Sequence, residues 1–367
     1  LDIPAFAAEP PFNKKTGLTS FDDTLRLSVI NLEYFVKNRT PGKTKFLNVL
    51  SGSDSATSKK WYDTVKHFSD PNFIKELGLS EDRTLEGYAF AGANMWNMRN
   101  ALTRLLDLVN DGLIQDKGWI HFLGLGRLDW ACYLTAIQRQ LRKHYNPDIT
   151  ISFDAASPFV SVAKGQCYSH NSFTPKRWGY NMQAAIDERE CKGSDLPMPF
   201  KGPIMERAKV GDICRLGPGE PNRLGKVAKT SWDNMSYLLM MSHNVYNHID
   251  AVQEANRIAD YEYNRHTLDY HDWTKEKKKS SANEVSDFVP PSILFFNKFV
   301  EDLFDPRNKD PYQMLADHAS FLESISFGKK ESSFNSLFAT EENNTDDDYA
   351  NIDDEDLVKL EEENTDE

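Results

Sequence analysis

Two hydrophobic periodicities alternate along the first 155 residues of the chain. Apolar runs of strand length occur at residues 45–50, 87–92, 119–126 and 149–154. Apolar positions that recur every three or four residues, the period of a helix face, predict helices near residues 22–37, 56–68, 97–110 and 130–141. Strands that alternate with amphipathic helices predict a parallel α/β sheet, and their near-continuous apolar character predicts that both faces are covered.

Small or polar residues stand at the end of every predicted strand. They are Ser51-Gly52, Ala91-Gly92-Ala93, Leu123-Gly124-Leu125-Gly126 and Asp154. In a (β/α)8 TIM barrel the carboxyl ends of the strands meet at the active-site face, and small residues there let a ligand approach the backbone. We therefore predict such a barrel. A doubly wound sheet, with its site at a switch point, is the alternative.

Regularity fades beyond residue 158. Residues 159–235 are predicted as an irregular insertion of loops and short elements, and helices are predicted near 242–260, 291–304 and 311–326. The predicted organisation is a barrel-like unit over residues 1–260, a helical C-terminal extension over 261–340 and a disordered acidic tail over 341–367. Residues 1–6 also have a strand-like pattern, and we expect part of the natural protein, including the first barrel strands, upstream of Leu1.

The net charge of -13 belongs to the tail. Residues 341–367 hold 14 acidic side chains and one base, Lys359, and the remaining 42 bases balance 42 acids. A segment so acidic and so poor in large apolar residues cannot bury enough surface to fold. The acidity of the chain therefore does not exclude a nucleic-acid substrate.

Neither a membrane span nor a disulfide framework is indicated. No apolar run approaches the ~18 residues that a spanning helix needs, and no signal peptide is visible. The four cysteines are scattered along the chain, which is typical of free thiols in a reducing compartment. We expect a cytoplasmic protein (in the host cytoplasm if it is viral) with no membrane partner.

Asp154 is the most suggestive candidate for chemistry. It follows the apolar run 149–153, where a partly desolvated carboxylate can act as a nucleophile toward an anomeric carbon. An Asp at this position can equally cap the next segment. Gly124-Leu125-Gly126 lacks the third glycine of a dinucleotide fingerprint, which argues against a Rossmann site. The segment 51–55 is interpreted as a turn and helix N-cap rather than a phosphate loop.

Taken together and in order, the four strand ends resemble those of the tRNA-guanine transglycosylase family. Val49-Leu50-Ser51-Gly52 is similar to its Val-Gln-Gly-Gly, and the segment 87–93 to its Gly-Tyr-Ala-Val-Gly-Gly-Leu. The segment 121–126 is similar to its Tyr-Leu-Met-Gly-Val-Gly. Ser152-Phe153-Asp154-Ala155-Ala156-Ser157-Pro158 is similar to its Met-Phe-Asp-Cys-Val-Met-Pro, whose Asp is the nucleophile. The resemblance covers residues 1–160 and resumes near 236–260.

This resemblance implies a (β/α)8 barrel that exchanges guanine for a 7-deazaguanine. Asp154 would attack C1′ and form a glycosyl–enzyme ester. The amides of Gly92 and Ala93 would read the carbonyl edge of the base, and Leu123 would stack on its face. The remaining base-binding positions are Ser51, which replaces a family glutamine, Gly52 and Gly124.

Several family features are absent from this sequence. The general-base Asp in Asp-Ser-Gly-Gly-Phe is not found, so we expect it upstream of Leu1 or on another chain. The zinc motif is reduced to Cys214 and His243, while Cys167-x-x-His170 is too loosely spaced to replace it. We therefore expect no bound zinc and no other cofactor.

Loss of the zinc motif and of a basic Arg-x-x-Arg favours the divergent phage and bacterial branch of the family that modifies DNA. The expected partners are DNA and a 7-deazaguanine base. Phosphate contacts are predicted from Lys59-Lys60, Lys176-Arg177 and Lys277-Lys278-Lys279. A tRNA-directed enzyme and a non-catalytic barrel subunit are the alternatives. A homodimer or a partner subunit is compatible with each of them.

Overall fold

The computed structural model describes residues 2–222, 225–265 and 287–327. Within these ranges the chain is a mixed α/β protein with one four-stranded parallel sheet and a separate two-stranded antiparallel sheet. The predicted acidic tail over 341–367 and the predicted phosphate contacts over 277–279 lie outside the described residues. None of the helices in the described ranges is both long and apolar enough to cross a membrane.

The parallel sheet confirms the four predicted strands. They are β1 Leu47–Leu50, β2 Gly87–Phe90, β3 Trp119–Phe122 and β4 Thr150–Phe153, in the spatial order β1-β2-β3-β4. β1 ends at Leu50 as predicted, whereas β2 and β3 end earlier than predicted, and each of the three is followed by a glycine that leaves the extended conformation. Gly52, Gly92 and Gly124 have φ values of 142°, 58° and 66°, and a left-handed residue cannot continue a strand.

Helices connect these strands as the three-to-four spacing predicted. The helices before and between the strands are α1 Asn13–Thr16, α2 Phe21–Asn38, α3 Ser55–Val65, α4 Pro71–Glu76, α5 Ala93–Trp96, α6 Met98–Asn110 and α7 Leu128–His144. Asp54 caps α3, with its side chain accepting from the backbone N–H of Thr57 at 2.8 Å. The interpretation of residues 51–55 as a turn and N-cap is thus confirmed.

The prediction of two covered faces is confirmed only for β2, whose four residues are all buried, while no residue of β4 is fully buried. In β1 and β3 burial alternates, with Leu50, Ile120 and Phe122 buried and their neighbours half-buried. The buried side chains join the helices in one core, where the rings of Phe90 and Phe122 stack at 4.6 Å. The hydropathy of the strands did not reveal the half-buried face, because the residues on it, Leu47, Val49 and Trp119, are themselves apolar.

The predicted strand over residues 1–6 is wrong for the described residues 2–6. Residues Ala5–Ala8 form a turn of 3-10 helix instead, and Pro4 has no N–H to donate to a neighbouring strand. The predicted irregularity of 159–235 is only partly right. This region contains α8 Ser157–Ala163, the hairpin strands β5 Gln166–Phe173 and β6 Trp178–Ala184, and α9 Val210–Ile213.

Four further helices complete the described chain. They are α10 Asn234–Arg265, α11 Pro291–Leu303, α12 Pro311–Asp317 and α13 Ala319–Ile325. The predicted helix over 311–326 is therefore two helices, which meet at His318. These C-terminal helices share the core of the parallel sheet. The Trp130 indole of α7 donates to the carbonyl of Ile325 at 3.0 Å, and the rings of Tyr133 and Phe296 lie 4.6 Å apart.

Candidate active site at the carboxyl edge of the sheet

A cavity of about 320 Å³ lies at the carboxyl edge of the parallel sheet, and we call it the Asp154 cavity. This volume is within the range of roughly 300–1,000 Å³ that is usual for small-molecule sites. The seven residues that the sequence predicted as nucleophile and base contacts all line it. They are Ser51, Gly52, Gly92, Ala93, Leu123, Gly124 and Asp154.

Close packing of two glycine turns shapes one side of the cavity. A Cβ on Gly92 would stand 2.2 Å from the carbonyl oxygen of Gly52, and a Cβ on Gly52 would meet the backbone of Ser58 at 2.5 Å. The backbone N–H of Ala93 donates to the carbonyl of Gly52 at 2.7 Å. This bond occupies one of the two amides predicted to read a base. Within the described residues the N–H of Gly92 has no hydrogen-bond partner, so it remains the candidate donor.

The Asp154 carboxylate is held in place by two donors. Its Oδ1 atom lies 3.0 Å from Nε2 of His121 and accepts from the backbone N–H of Gly124 at 3.1 Å. These contacts outweigh the effect of partial burial and lower the pKa of Asp154 from its ordinary value. The side chain is still 55 % exposed. The carboxylate is therefore ionised, oriented and open to the cavity.

Strand register explains why His121 reaches Asp154. In the β3–β4 pair His121 lies opposite Ser152, and Asp154 is two residues further on. Because side chains of a strand alternate with a period of two, Ser152 and Asp154 lie on the same face. Nδ1 of His121 lies 2.8 Å from Oγ of Ser152, which in turn accepts from the indole N–H of Trp119 at 2.7 Å.

The indole of Trp119 sets the direction of donation along this chain of hydrogen bonds. An indole N–H can only donate, so Ser152 accepts from Trp119 and its own hydrogen is available for Nδ1 of His121. A neutral His121 then carries its proton on Nε2 and donates it to Asp154. Neither His121 nor Ser152 was predicted as a site residue. The signal that could have found them is that His121 and Ser152 are polar residues within two otherwise apolar strands, β3 and β4.

Two further carboxylates line the Asp154 cavity, contributed by Asp2 and Glu9. Burial raises the pKa of Asp2 above its ordinary value, which favours the protonated acid. The cavity thus brings together one carboxylate with a lowered pKa and one carboxyl with a raised pKa. Such opposed shifts are typical of a nucleophile or base beside a general acid. The sequence analysis missed Asp2 because it placed that residue in a strand.

The remaining wall of the Asp154 cavity is largely apolar. Phe6, Met95 and Trp96 line it together with the predicted Leu123. Flat aromatic and apolar surfaces suit a planar ring system, which stacks on them, while the backbone amides at the glycine turns can orient its polar edge.

Cys214 and His243, which resemble two ligands of the transglycosylase zinc motif, have other partners in this structure. His243 lies 2.9 Å through Nε2 from the carbonyl of Tyr168, and Sγ of Cys214 contacts the carbonyl of Ile186 at 3.5 Å. Burial lowers the pKa of His243. Among residues 2–222, 225–265 and 287–327 no three His, Cys, Asp or Glu side chains are grouped to hold a metal ion. All four cysteines are free thiols.

The geometry of the Asp154 cavity is thus an oriented carboxylate, a half-buried second carboxyl and a flat apolar wall. Comparisons of this chain with protein-family models, with curated proteins and with solved structures found no match.

Proposed function

We propose that the protein is a base-exchange transglycosylase that replaces guanine in DNA by a 7-deazaguanine. The observation that carries the proposal is the meeting of all seven predicted site residues at one cavity, where Asp154 is ionised and accessible. Those residues come from the ends of four different strands. Their meeting at one cavity supports the resemblance to the transglycosylase family, from which these residues were predicted.

The first half of the reaction would form a covalent intermediate on Asp154. An oxygen of the Asp154 carboxylate attacks C1′, the C1′–N9 bond breaks, and its electron pair leaves with guanine. Asp2, which burial favours in the acid form, is placed in the same cavity to protonate the leaving base. The hydrogen bonds from His121 and Gly124 orient the nucleophile throughout.

The second half reverses these roles. The incoming 7-deazaguanine gives its N9 proton to the Asp2 carboxylate, and N9 attacks C1′ from the face that guanine left. The ester to Asp154 breaks and the carboxylate is regenerated. Two displacements on the same carbon retain the anomeric configuration. The target base must leave its stack to reach the cavity.

We further propose that the parallel sheet is part of a (β/α)8 barrel. The spatial order β1-β2-β3-β4 follows the chain without a reversal, whereas a doubly wound sheet changes direction at a switch point. The half-buried open face, which carries Trp119, His121 and Ser152, has the polarity of an inward barrel face leading to a site. The site lies at the carboxyl edge, as in known barrels.

Capture of the covalent intermediate tests this function. We expect the purified protein to incorporate labelled guanine into duplex DNA, and denaturing gels to show DNA joined to the protein. Asp154→Asn should abolish both signals. Asp148→Asn, an exposed carboxylate at the opposite end of the same strand, should keep both. Incorporation into tRNA alone would favour the RNA-directed alternative, and no incorporation into either would favour a non-catalytic subunit.

A further inference from the structure

A second cavity, of about 840 Å³, opens beside the first, and Gly124 contributes to the wall of both. We call it the hairpin groove because residues 176–180 and Met182 of the β5–β6 hairpin line it, opposite the start of α7 and the C-terminal helices. A polymeric substrate cannot end inside the Asp154 cavity. Its neighbouring nucleotides must leave over an adjoining surface, and the hairpin groove is such a surface.

The charge of the hairpin groove is positive once its internal ion pair is discounted. Its charged lining residues are Arg127, Asp129, Lys176 and Arg177. Arg127 is paired with Asp129, Nε to Oδ1 at 3.0 Å, and lies over the ring of Phe327. Lys176 and Arg177 are exposed and form no ion pair within the described ranges. Two cations therefore remain for an anionic ligand.

The hairpin turn holds the backbone of Lys176 and Arg177 in place. Thr174 closes the turn, with Oγ1 donating to the carbonyl of Arg177 at 2.9 Å. The next residue, Trp178, is buried, and its indole donates to the carbonyl of Phe288 at 2.7 Å. Anchoring on both sides of Lys176-Arg177 lowers the conformational entropy that a ligand would have to remove on binding.

The floor of the groove combines aromatic rings with hydroxyl groups. The rings of Tyr168 and Tyr180, which line the groove, stack at 4.8 Å, and His248 behind the lining stacks on Tyr180 at 5.0 Å. Burial lowers the pKa of His248 to about 4, so this stack is uncharged at neutral pH. Serine hydroxyls, which are common phosphate contacts in nucleic-acid complexes, also line the groove at Ser157, Ser161, Ser292 and Ser324.

We propose that the hairpin groove binds the DNA strand adjoining the nucleotide held in the Asp154 cavity, with Lys176 and Arg177 against its phosphates. This role rests on the proposed base exchange, because only a polymeric substrate needs an exit beside the cavity. Of the predicted phosphate contacts, Lys59 and Lys60 are engaged by Asp63 and Asp22. Lys176-Arg177 is the described run whose charges remain available.

Strand binding can be measured without any chemistry. We would follow a fluorescein-labelled single-stranded DNA by anisotropy over a range of salt concentrations. Lys176→Ala/Arg177→Ala should weaken binding about tenfold at low salt. The slope of log K against log salt should fall in magnitude by about 1.4, because each phosphate contact on a single strand contributes about 0.7.

A matched control removes the same charge from the opposite edge of the sheet. Lys43 and Lys45 are exposed, form no ion pair within the described ranges and lie just before the amino end of β1. Lys43→Ala/Lys45→Ala should change affinity less than about twofold. An unchanged affinity in Lys176→Ala/Arg177→Ala, or an equal loss in the control, overturns the proposal.

The outcomes separate this proposal from the proposed function. If the wild type shows no base exchange but Lys176→Ala/Arg177→Ala weakens strand binding, the groove proposal stands and the exchange proposal is rejected. If the wild type exchanges bases and Lys176→Ala/Arg177→Ala leaves both exchange and binding normal, the exchange proposal stands and the groove proposal is rejected. If the wild type binds RNA of the same sequence more tightly, with the same loss in the double variant, the assignment to DNA is wrong.

Discussion

The imidazole of His121 and the carboxylate of Asp154 are joined by a 3.0 Å contact between Nε2 and Oδ1. His121 is only 19 % exposed, whereas Asp154 is 55 % exposed, so the pair has a protected donor and an open acceptor. Ser152 and Trp119 continue the chain of hydrogen bonds away from the cavity. The position and charge of Asp154 therefore depend on residues that never touch a ligand in the cavity.

His121→Phe should lower base exchange about tenfold to a hundredfold. The expected loss corresponds to about 1.5–3 kcal/mol, the usual contribution of a hydrogen bond to a charged group. Because the bond from His121 is the largest cause that lowers the pKa of Asp154, its removal should raise that pKa. The acidic limb of the rate–pH profile should then move to higher pH, since only the ionised carboxylate is nucleophilic.

The control for this prediction is His121→Gln, whose amide can still donate to Asp154 but cannot titrate. It should keep the acidic limb near its wild-type position and recover part of the rate. A His121→Phe protein with the wild-type profile would show that the contact does not hold the carboxylate in its ionised form.

Ser152→Ala should have a smaller effect, through the tautomer of His121. Without the Ser152 hydroxyl, Nδ1 of His121 loses its partner, and the Asp154 carboxylate alone is left to favour the proton on Nε2. We expect a loss of about threefold to tenfold in rate, because a neutral hydrogen bond contributes about 0.5–1.5 kcal/mol. Nitrogen chemical shifts of the imidazole should report mixed tautomers in Ser152→Ala and one tautomer in Ser152→Thr. One tautomer in both would contradict the assignment.

The strands and helices of the parallel sheet were predictable because their apolar period reports directly on burial. Strand ends were predictable as site positions because parallel strands bring their carboxyl ends to one edge. The open face of the sheet was not predictable, since Leu47 and Val49 have the hydropathy of buried residues yet stay half-buried. Apolar character shows that a residue can be covered and does not show that anything covers it.

The contacts that tune the site were hidden for a different reason. His121 reaches Asp154 through the in-register pairing of β3 and β4, and register between strands 30 residues apart is a tertiary property. Asp2 was misplaced because residues 1–6 were interpreted as a strand, whereas a 3-10 turn forms at Ala5–Ala8 and Asp2 lines the cavity. Local patterns therefore indicated Asp154 as a site residue, whereas its hydrogen-bond partners depend on tertiary packing.

Gly92→Ala should destabilise the fold and remove the cavity wall. The new methyl group would stand 2.2 Å from the carbonyl oxygen of Gly52, and φ at this position is +58°. A non-glycine residue in that conformation costs about 1–3 kcal/mol, and the backbone overlap adds to it. We expect urea denaturation to show a free energy of unfolding lowered by about 2–4 kcal/mol.

Gly78→Ala is a comparison with a positive φ but no overlap. Gly78 has a φ of +72°, and an added Cβ would meet no atom within 4 Å. It should lose only about 1 kcal/mol, the conformational part of the cost. Equal losses in the two variants would mean that the close approach of the glycine turns does not constrain the site.

Asp2→Asn should abolish base exchange and raise stability at neutral pH. Burial raises the pKa of Asp2 in the folded protein above its unfolded value, so the folded state binds this proton more tightly. Stability then falls as pH rises from the unfolded pKa, about 3.9, to the folded pKa, and it stays reduced above that. Asparagine cannot ionise, and the variant avoids this loss.

Thermal unfolding of wild type and Asp2→Asn as a function of pH can test this sign. The variant should have the higher Tm near pH 7, and the difference should shrink as the pH falls toward about 4, where the wild-type carboxyl is protonated in both states. Glu9→Gln, at the other missed carboxylate of the Asp154 cavity, is the matched comparison. A variant that loses exchange while gaining stability identifies Asp2 as a group kept for chemistry, because a structural carboxylate would lose stability when neutralised. Lower stability of Asp2→Asn at pH 7 would reject the assignment of Asp2 as the acid.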